Sequence, residues 1–367
     1  MSSIPDRVLS LIEKSGKSHS EFAQQVSLTE EQLTESLRGS RGFSTVEIAR
    51  IAQTCQVSVK WLITGIEPPL TVAGRTTIGE AAEAVAVARQ YTSRRMDLVG
   101  LGYPQPWRSA AVSTGGGSYA EQGERLARKA LNAVAGAGGS VAEGDLAELI
   151  EEIFGADVAV AELGDGFDGL AAAAPSAKLI LLAATSNSAR QRFTLAHELG
   201  HLLAEDDQEV HLDRDVFDPA QKRDPSEQRA NAFASSFLMP EARLREALAG
   251  RRLSWADHAA LACELMVTPS ALAYRLLRLR IIDAGMCDRY KRMTADEAAD
   301  IAGRGEEFEQ RAAASRTRRL PGPLLRDTYA AYEAGRTTLR PYATLLGADV
   351  DELRRELDSK GVNGGAS

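Results

Sequence analysis

The sequence predicts a mainly α fold with a small β-sheet, in the α+β class. Three observations carry that expectation. Alanine-rich runs and an aromatic content of 5% favour helix over strand. Apolar residues recur at helical spacing along most of the chain. Only one stretch, about 157–184, breaks into short apolar runs separated by turn chemistry, as strands do. The 367 residues exceed one ordinary core, so several folded units are expected, and 44% hydrophobic with 26% charged residues exclude wholesale disorder.

In chain order, residues 5–65 read as five short helices, giving a bundle over 1–68. The first, about 6–14, places Val8, Leu11 and Ile12 on one face. Ser18 or Ser20, with Glu21 close behind, caps the second. A short SLT break follows, and Thr29 caps the third, which ends at Gly39. In STVEIARIAQTCQV, Ile48, Ile51 or Ala52, and Cys55 share a face, which makes Cys55 a core residue. VSVKWLITG closes the bundle at Gly65, before Pro68 and Pro69. Residues 69–118 read as a helical connector and linker, because GYPQPWRSAAVSTGGGS holds two prolines and three consecutive glycines; a boundary is expected at 103–118. Helices resume in YAEQGERLARKALNAVAG and VAEGDLAELIEEIFG, followed by three strands in DVAVAEL, DGLAAAA and KLILLAA. RQRFTLAHELGHLLAE, SEQRANAFASSFLMP and 241–283 are helical again, completing a second domain over 119–285. Residues 286–367 form a helical C-terminal region whose GVNGGAS end is expected to be disordered.

Charge and cysteine usage narrow the function. With 43 Lys+Arg against 51 Asp+Glu the chain carries −8, the wrong sign for a surface that tracks nucleic acid throughout, so any DNA contact must be local. Cys55, Cys263 and Cys287 are far apart and form no CxxC, so neither a disulfide framework nor a thiolate zinc site is expected. No stretch approaches the eighteen or so apolar residues that span a bilayer, and the start lacks a basic-then-apolar signal. A cytoplasmic protein without a membrane partner is expected.

Histidine is scarce, at 19, 197, 201, 211 and 258, yet two of the five stand four apart in His197-Glu198-Leu199-Gly200-His201. Positions i and i+4 lie on one helical face, so both imidazoles reach one Zn²⁺, and Glu198, one residue round the turn, reaches a water on it as general base. A catalytic zinc needs a third protein ligand and an open position. Glu227, opening the next amphipathic helix, leads; Asp224 and His211 are weaker, and Asn231 is placed to orient the site. His258, Tyr274 and Arg275 are candidate oxyanion donors. KLILLAA is placed to line the cleft and pair with an extended peptide. Between 197 and 231 ten acidic residues face four basic ones, a net of −6, a field suited to a metal cation or a basic peptide.

The helix, turn and helix of HSEFAQQVSLTEEQLTESLRG has the length of a helix-turn-helix, whose second helix enters the major groove. Thr29, Glu30, Gln32, Thr34, Glu35 and Ser36 then supply its exposed face, with Arg38, Arg41 and Lys60 near phosphates. Residues 1–68 carry seven basic and eight acidic residues, so phosphate attraction is weak and strongly salt-dependent.

Two families match these motifs. Residues 5–65, through SEFAQQVSLTEEQLTESLRG and IARIAQTCQVSVKWLITG, resemble the lambda-repressor-like (xenobiotic-response-element) helix-turn-helix family. Residues about 120–283, through GFDGLA, RQRFTLAHELGHLL, E-x-x-A-N-x-F-A and FLMP, resemble the zincin-like ImmA/IrrE metallopeptidase family. The second resemblance implies one Zn²⁺ on His197, His201 and Glu227, with Glu198 as general base. The two together imply a transcriptional regulator whose DNA-binding head recognises operator DNA and whose zinc endopeptidase body cleaves a specific repressor-type protein. Heads of this kind often act as homodimers on two half-sites. An alternative keeps the DNA head and makes the zincin-like domain a sensor of ligand or metal without proteolysis; the intact H-E-x-x-H with Glu227 weighs against it.

Overall fold

The computed structural model describes residues 3–55, 57, 59–65, 82–109, 116–163, 167–205, 212–213, 224–248 and 253–363. The chain divides into two compact units, Met1–Leu70 with Arg89–Ser93, and Thr71–Ala88 with Arg94–Ser367. Among the described residues helix dominates, and a single small sheet lies in the second unit, as the composition predicts.

The first unit contains α1 (Ile4–Ser15), α2 (His19–Gln25), α3 (Glu30–Leu37), α4 (Thr45–Thr54) and α5 (Val59–Thr64). Their starts are written in the sequence: Ser3 with Asp6, Ser18 with Glu21 and Thr29 with Gln32 each close a capping box. Ser27 takes a left-handed backbone, φ 56°, to turn α2 into α3. Val8, Phe22, Leu33, Ile51 and Leu62 meet in the core, against which Cys55 packs. Arg7, itself buried, donates from Nε and Nη2 to the carbonyls of Leu62 and Ile63, satisfying the last turn of α5.

Helix α6 (Ala82–Gly100) contributes Arg89–Ser93 to the first unit and its other residues to the second, which continues with α7 (Tyr119–Gly136), α8 (Leu146–Ile153), β1 (Asp157–Ala161), β2 (Gly169–Ala174), β3 (Ala177–Ala183), α9 (Ser188–Ala204), β4 (Leu212–Asp213), α10 (Pro225–Leu238), α11 (Glu241–Ala247), α12 (Trp255–Glu264) and α13 (Pro269–Arg278). The three expected strands are present, with β4 as a short fourth, in the order β1-β3-β2-β4. β3 runs parallel to β1, with Val158 opposite Ile180, and antiparallel to β2, with Leu170 opposite Leu181. β3 is therefore an interior strand, paired on both sides. The expectation that KLILLAA pairs with an extended substrate fails for that reason.

Two segments read as peripheral are built into this unit. Residues 103–109, expected to open a linker, are tied down: Gln105 donates from Nε2 to the Lys178 carbonyl at 2.8 Å, and Arg108 N donates to the Phe154 carbonyl. The C-terminal helices α14 (Ala284–Tyr290), α15 (Ala295–Ile301), α16 (Gly305–Arg316), α17 (Gly322–Glu333), α18 (Arg340–Leu346) and α19 (Val350–Asn363) belong to the same compact unit. Arg319 bridges to Val160 on β1 through a reciprocal pair of backbone hydrogen bonds. Its guanidinium forks onto the Glu151 carboxylate at 2.8 and 2.7 Å. The fully buried Arg95 of α6 makes a similar fork onto Asp157 at the head of β1, 2.7 Å on both arms, and also pairs with Asp327. Of the GVNGGAS end expected to be disordered, residues 361–363 form the last turn of α19, and residues 364–367 lie outside those described. Among the described residues no single helix is long and apolar enough to cross a membrane.

Helices α7, α9 and α10 pack unusually closely. A Cβ on Gly123 of α7 would collide with the Arg229 carbonyl oxygen and lie 2.9 Å from the Phe233 amide nitrogen, both on α10. Gly123→Ala is therefore expected to lower unfolding stability by about 2 kcal/mol, a fall in Tm of roughly 5 °C in a thermal melt. Gly136→Ala, on the same helix with open space around it, is the control and leaves Tm unchanged or slightly raised.

Candidate metal centre

Helix α9 carries the H-E-x-x-H. Asn187 caps it by accepting from the Arg190 amide at 3.0 Å, and Arg190 in turn forks onto Asp168 beside β2. From Phe193 to Leu203 every residue of α9 is buried, because β2 and β3 lie on one side and α10 with α7 on another. Gly200, inside the motif, lets α10 approach: a Cβ there would lie 2.9 Å from the Phe233 ring. Phe233 stacks on Phe237 one turn on, with ring centroids 5.3 Å apart, and this pair seats α10 against α9.

That seating brings Glu227 to the two histidines. His197 Nε2 lies 3.0 Å from His201 Nε2 and 3.3 Å from Glu227 Oε2, and His201 Nε2 lies 3.4 Å from Glu227 Oε1. All three residues are buried, His197 completely. Burial works to raise the Glu227 pKa, but hydrogen bonding and charge from His197 and His201 outweigh it, and its carboxyl titrates below the ordinary carboxylate range. Two nitrogen or oxygen donors held 2.0–2.1 Å from a tetrahedral ion are about 3.3 Å apart. The three observed separations match that edge length, so the trio fits a His₂Glu divalent-metal site. Glu198 is fully buried at the next position on α9.

The remaining sequence candidates fall elsewhere. Asp224 is the N-cap of α10 and accepts from the Ser226 amide and hydroxyl, so its carboxylate is spent on the helix start; His211 lies outside the described residues, as does most of the acidic stretch. Asn231, one turn beyond Glu227, is half-buried. His258 is fully buried, its Nε2 donates to the Pro269 carbonyl at 3.0 Å, and its ring stacks on Tyr290. Arg275 donates to the Met239 carbonyl and lies 3.5 Å from Glu124. Those bonds give His258 and Arg275 packing roles in place of the expected oxyanion role. Tyr274 is 54% exposed on α13.

On α3, Thr29, Glu30, Gln32, Glu35 and Arg38 are exposed and Thr34 is half-buried. Thr29 and Gln32 are engaged with each other in the cap. Ser36 is not on the exposed face: three residues after core Leu33, it is fully buried and accepts from Arg41 Nη1 at 2.9 Å. Arg41 also pairs with Glu47, which receives the Ser44 amide, so Arg41 fastens the loop before α4. The side chain of Lys60 lies outside the described ones. Sequence reading missed Gly123, whose signal is a glycine amid an otherwise strong helix former, and Arg192, a half-buried arginine of α9 whose Nε is buried.

Residues 152–277 match the family model of the IrrE N-terminal-like domain, a metallopeptidase-type domain. The matched segment runs from the end of α8 into α13 and contains all of β1–β3, the trio of His197, His201 and Glu227, and Glu198. No curated protein matches the chain.

Purified protein is expected to hold one divalent ion per chain by elemental analysis, with His201→Ala and Glu227→Ala each below about a tenth of that occupancy. Zinc at 100 times its Kd raises unfolding stability by about 2.7 kcal/mol in the wild type and leaves Glu227→Ala unmoved in a denaturant titration.

Proposed function

We propose that this chain is a transcriptional regulator with a DNA-binding head and a zinc-dependent endopeptidase body that cuts a specific repressor-type protein. The observation that carries the enzymatic half is the convergence of His197, His201 and Glu227 beside buried Glu198, within a segment similar to a metallopeptidase-type domain. His197, His201 and Glu227 hold the ion, which when bound supplies a Lewis acid for the scissile carbonyl and the attacking water. Glu198 takes the water proton and delivers it to the leaving amine. Glu227 keeps the two imidazoles turned toward one point, and the buried surroundings of α9 strengthen each electrostatic contact there. Substrate does not add to β3.

The DNA-binding half is supported by the capped pair α2 and α3 joined at Ser27, with Glu30, Gln32, Glu35 and Arg38 exposed on the second helix. Arg41, paired with Glu47, stabilises the head, and Arg38 carries the phosphate contact.

Incubated with candidate repressors, the full chain cuts one of them in zinc and none in chelator. Glu198→Gln keeps its metal and loses about 10²–10⁴-fold in rate; an unchanged rate rejects the mechanism. Metal-dependent DNA affinity without any cleavage replaces the peptidase by a sensor. In a salt titration of operator binding, Arg38→Ala lowers the slope of log K against log salt by about one, while Arg41→Ala shows itself as a lower Tm of the head.

A further inference from the structure

A cavity of about 360 Å³ lies in the second unit on the far side of α9 from the histidines. Ser188, Arg192 and Leu195 line it, and at about 100° per residue they stand roughly 120–180° round the helix from His197 and His201. The other walls come from β1 and β3 through Val160 and Leu182, from α12 and the turn after it, and from α15 and α16. The lining is mostly apolar, and the volume suits a small organic molecule.

Four charged groups reach this cavity, and three are already committed. Arg319 forks onto Glu151, Arg311 donates to the Cys263 carbonyl and pairs with Glu307, and Asp145 caps α8 by accepting from the Ala147 amide. Arg192 differs. It donates from Nη2 to the Val141 carbonyl, but its Nε is buried with no hydrogen-bond partner among the described residues. Burial pushes the guanidinium down to about 10, which leaves it cationic at neutral pH. A buried donor on a cation is costly unless an anion meets it.

We propose that the cavity behind α9 binds an apolar molecule carrying a single anionic head, carboxylate or phosphate, with the head on Arg192 and the apolar body against Val160, Leu182, Leu195 and Phe308. The site is separate from the metal cluster and does not depend on the peptidase reading. It gives a small molecule a seat on the helix that carries His197 and His201.

Calorimetry on the full chain tests this with decanoate, decyl phosphate and decanol, each with and without chelator. At least one of the two anions binds once per chain, at least tenfold tighter than decanol, and equally well with chelator present; which anion binds tighter identifies the head group. Arg192→Gln removes the advantage of the anion over decanol, and Ala314→Trp, at an exposed position of the lining, abolishes binding while the thermal melt shows a folded protein. The proposal is overturned if neither anion binds more tightly than decanol, if Arg192→Gln leaves the anion affinity unchanged, or if chelator removes binding, which would seat the anion at the metal cluster.

Discussion

A carboxylate on one helix meets two imidazoles on another only if the helix backbones come close, and here glycine sets that distance. Gly200 opens the surface of α9 to the Phe233 ring, and Gly123 of α7 admits the backbone of α10 at Arg229. Remove either space and α10 must shift. Glu227, on the first turn of α10, then no longer sits 3.3–3.4 Å from the histidine nitrogens. Core packing is bistable rather than soft, so such a shift is not absorbed gradually. The trio is thus a product of interior packing as much as of the residues that compose it.

The sheet beside it depends on buried charge. β1 is an edge strand, and an uncovered edge invites pairing with another chain. Arg319 closes part of it with two backbone hydrogen bonds and anchors that closure on Glu151, which also receives the Val158 and Gly322 amides. Arg95 does comparable work on Asp157, with Gln105 adding a third contact at 3.1 Å. Each pair is satisfied on nearly every arm, the condition under which buried ions are tolerated at all. Through these two arginines the segments before α7 and after α13 become part of the domain core, although the matched family segment, 152–277, contains neither.

Local features were legible in the sequence, and long-range ones were not. The capping residues Ser18 and Thr29, the three strands and the helical face of His197 and His201 all rest on neighbours within four residues, where spacing alone decides. Glu227 was legible as the opening of an amphipathic helix, since its partner helix was already marked by the motif. Ser36 was misplaced because α3 is short and its inward face is fixed by Leu33 and by Arg41 reaching across from the following loop. The segment at 103–109 looked like a linker because proline and glycine also serve to bend a chain tightly against a sheet: Gly155, at φ 75°, packs on the Pro106 carbonyl. Nothing local distinguishes that use from a flexible tether. Arg95 with Asp157 is separated by 62 positions and Arg319 with Glu151 by 168, so neither pair leaves a periodic trace.

Helix α9 meets three demands at once, and they explain a composition that periodicity alone reads poorly. One side must be apolar against β2 and β3, a second must present His197 and His201 to α10, and a third, nearer its start, borders the cavity with Ser188, Arg192 and Leu195. A helix buried all round usually becomes uniformly apolar. This one does not, and several of its polar residues are tied to particular neighbours: the histidines to Glu227, Arg190 to Asp168, Gln191 to the Ala183 and Ser315 carbonyls. Gln191 and Arg190 are satisfied by elements on either side of the helix, which fixes its rotation as well as its position. That rotation determines where the two imidazoles point, so the polar ties at the first turns of α9 set the geometry of the cluster two turns further on.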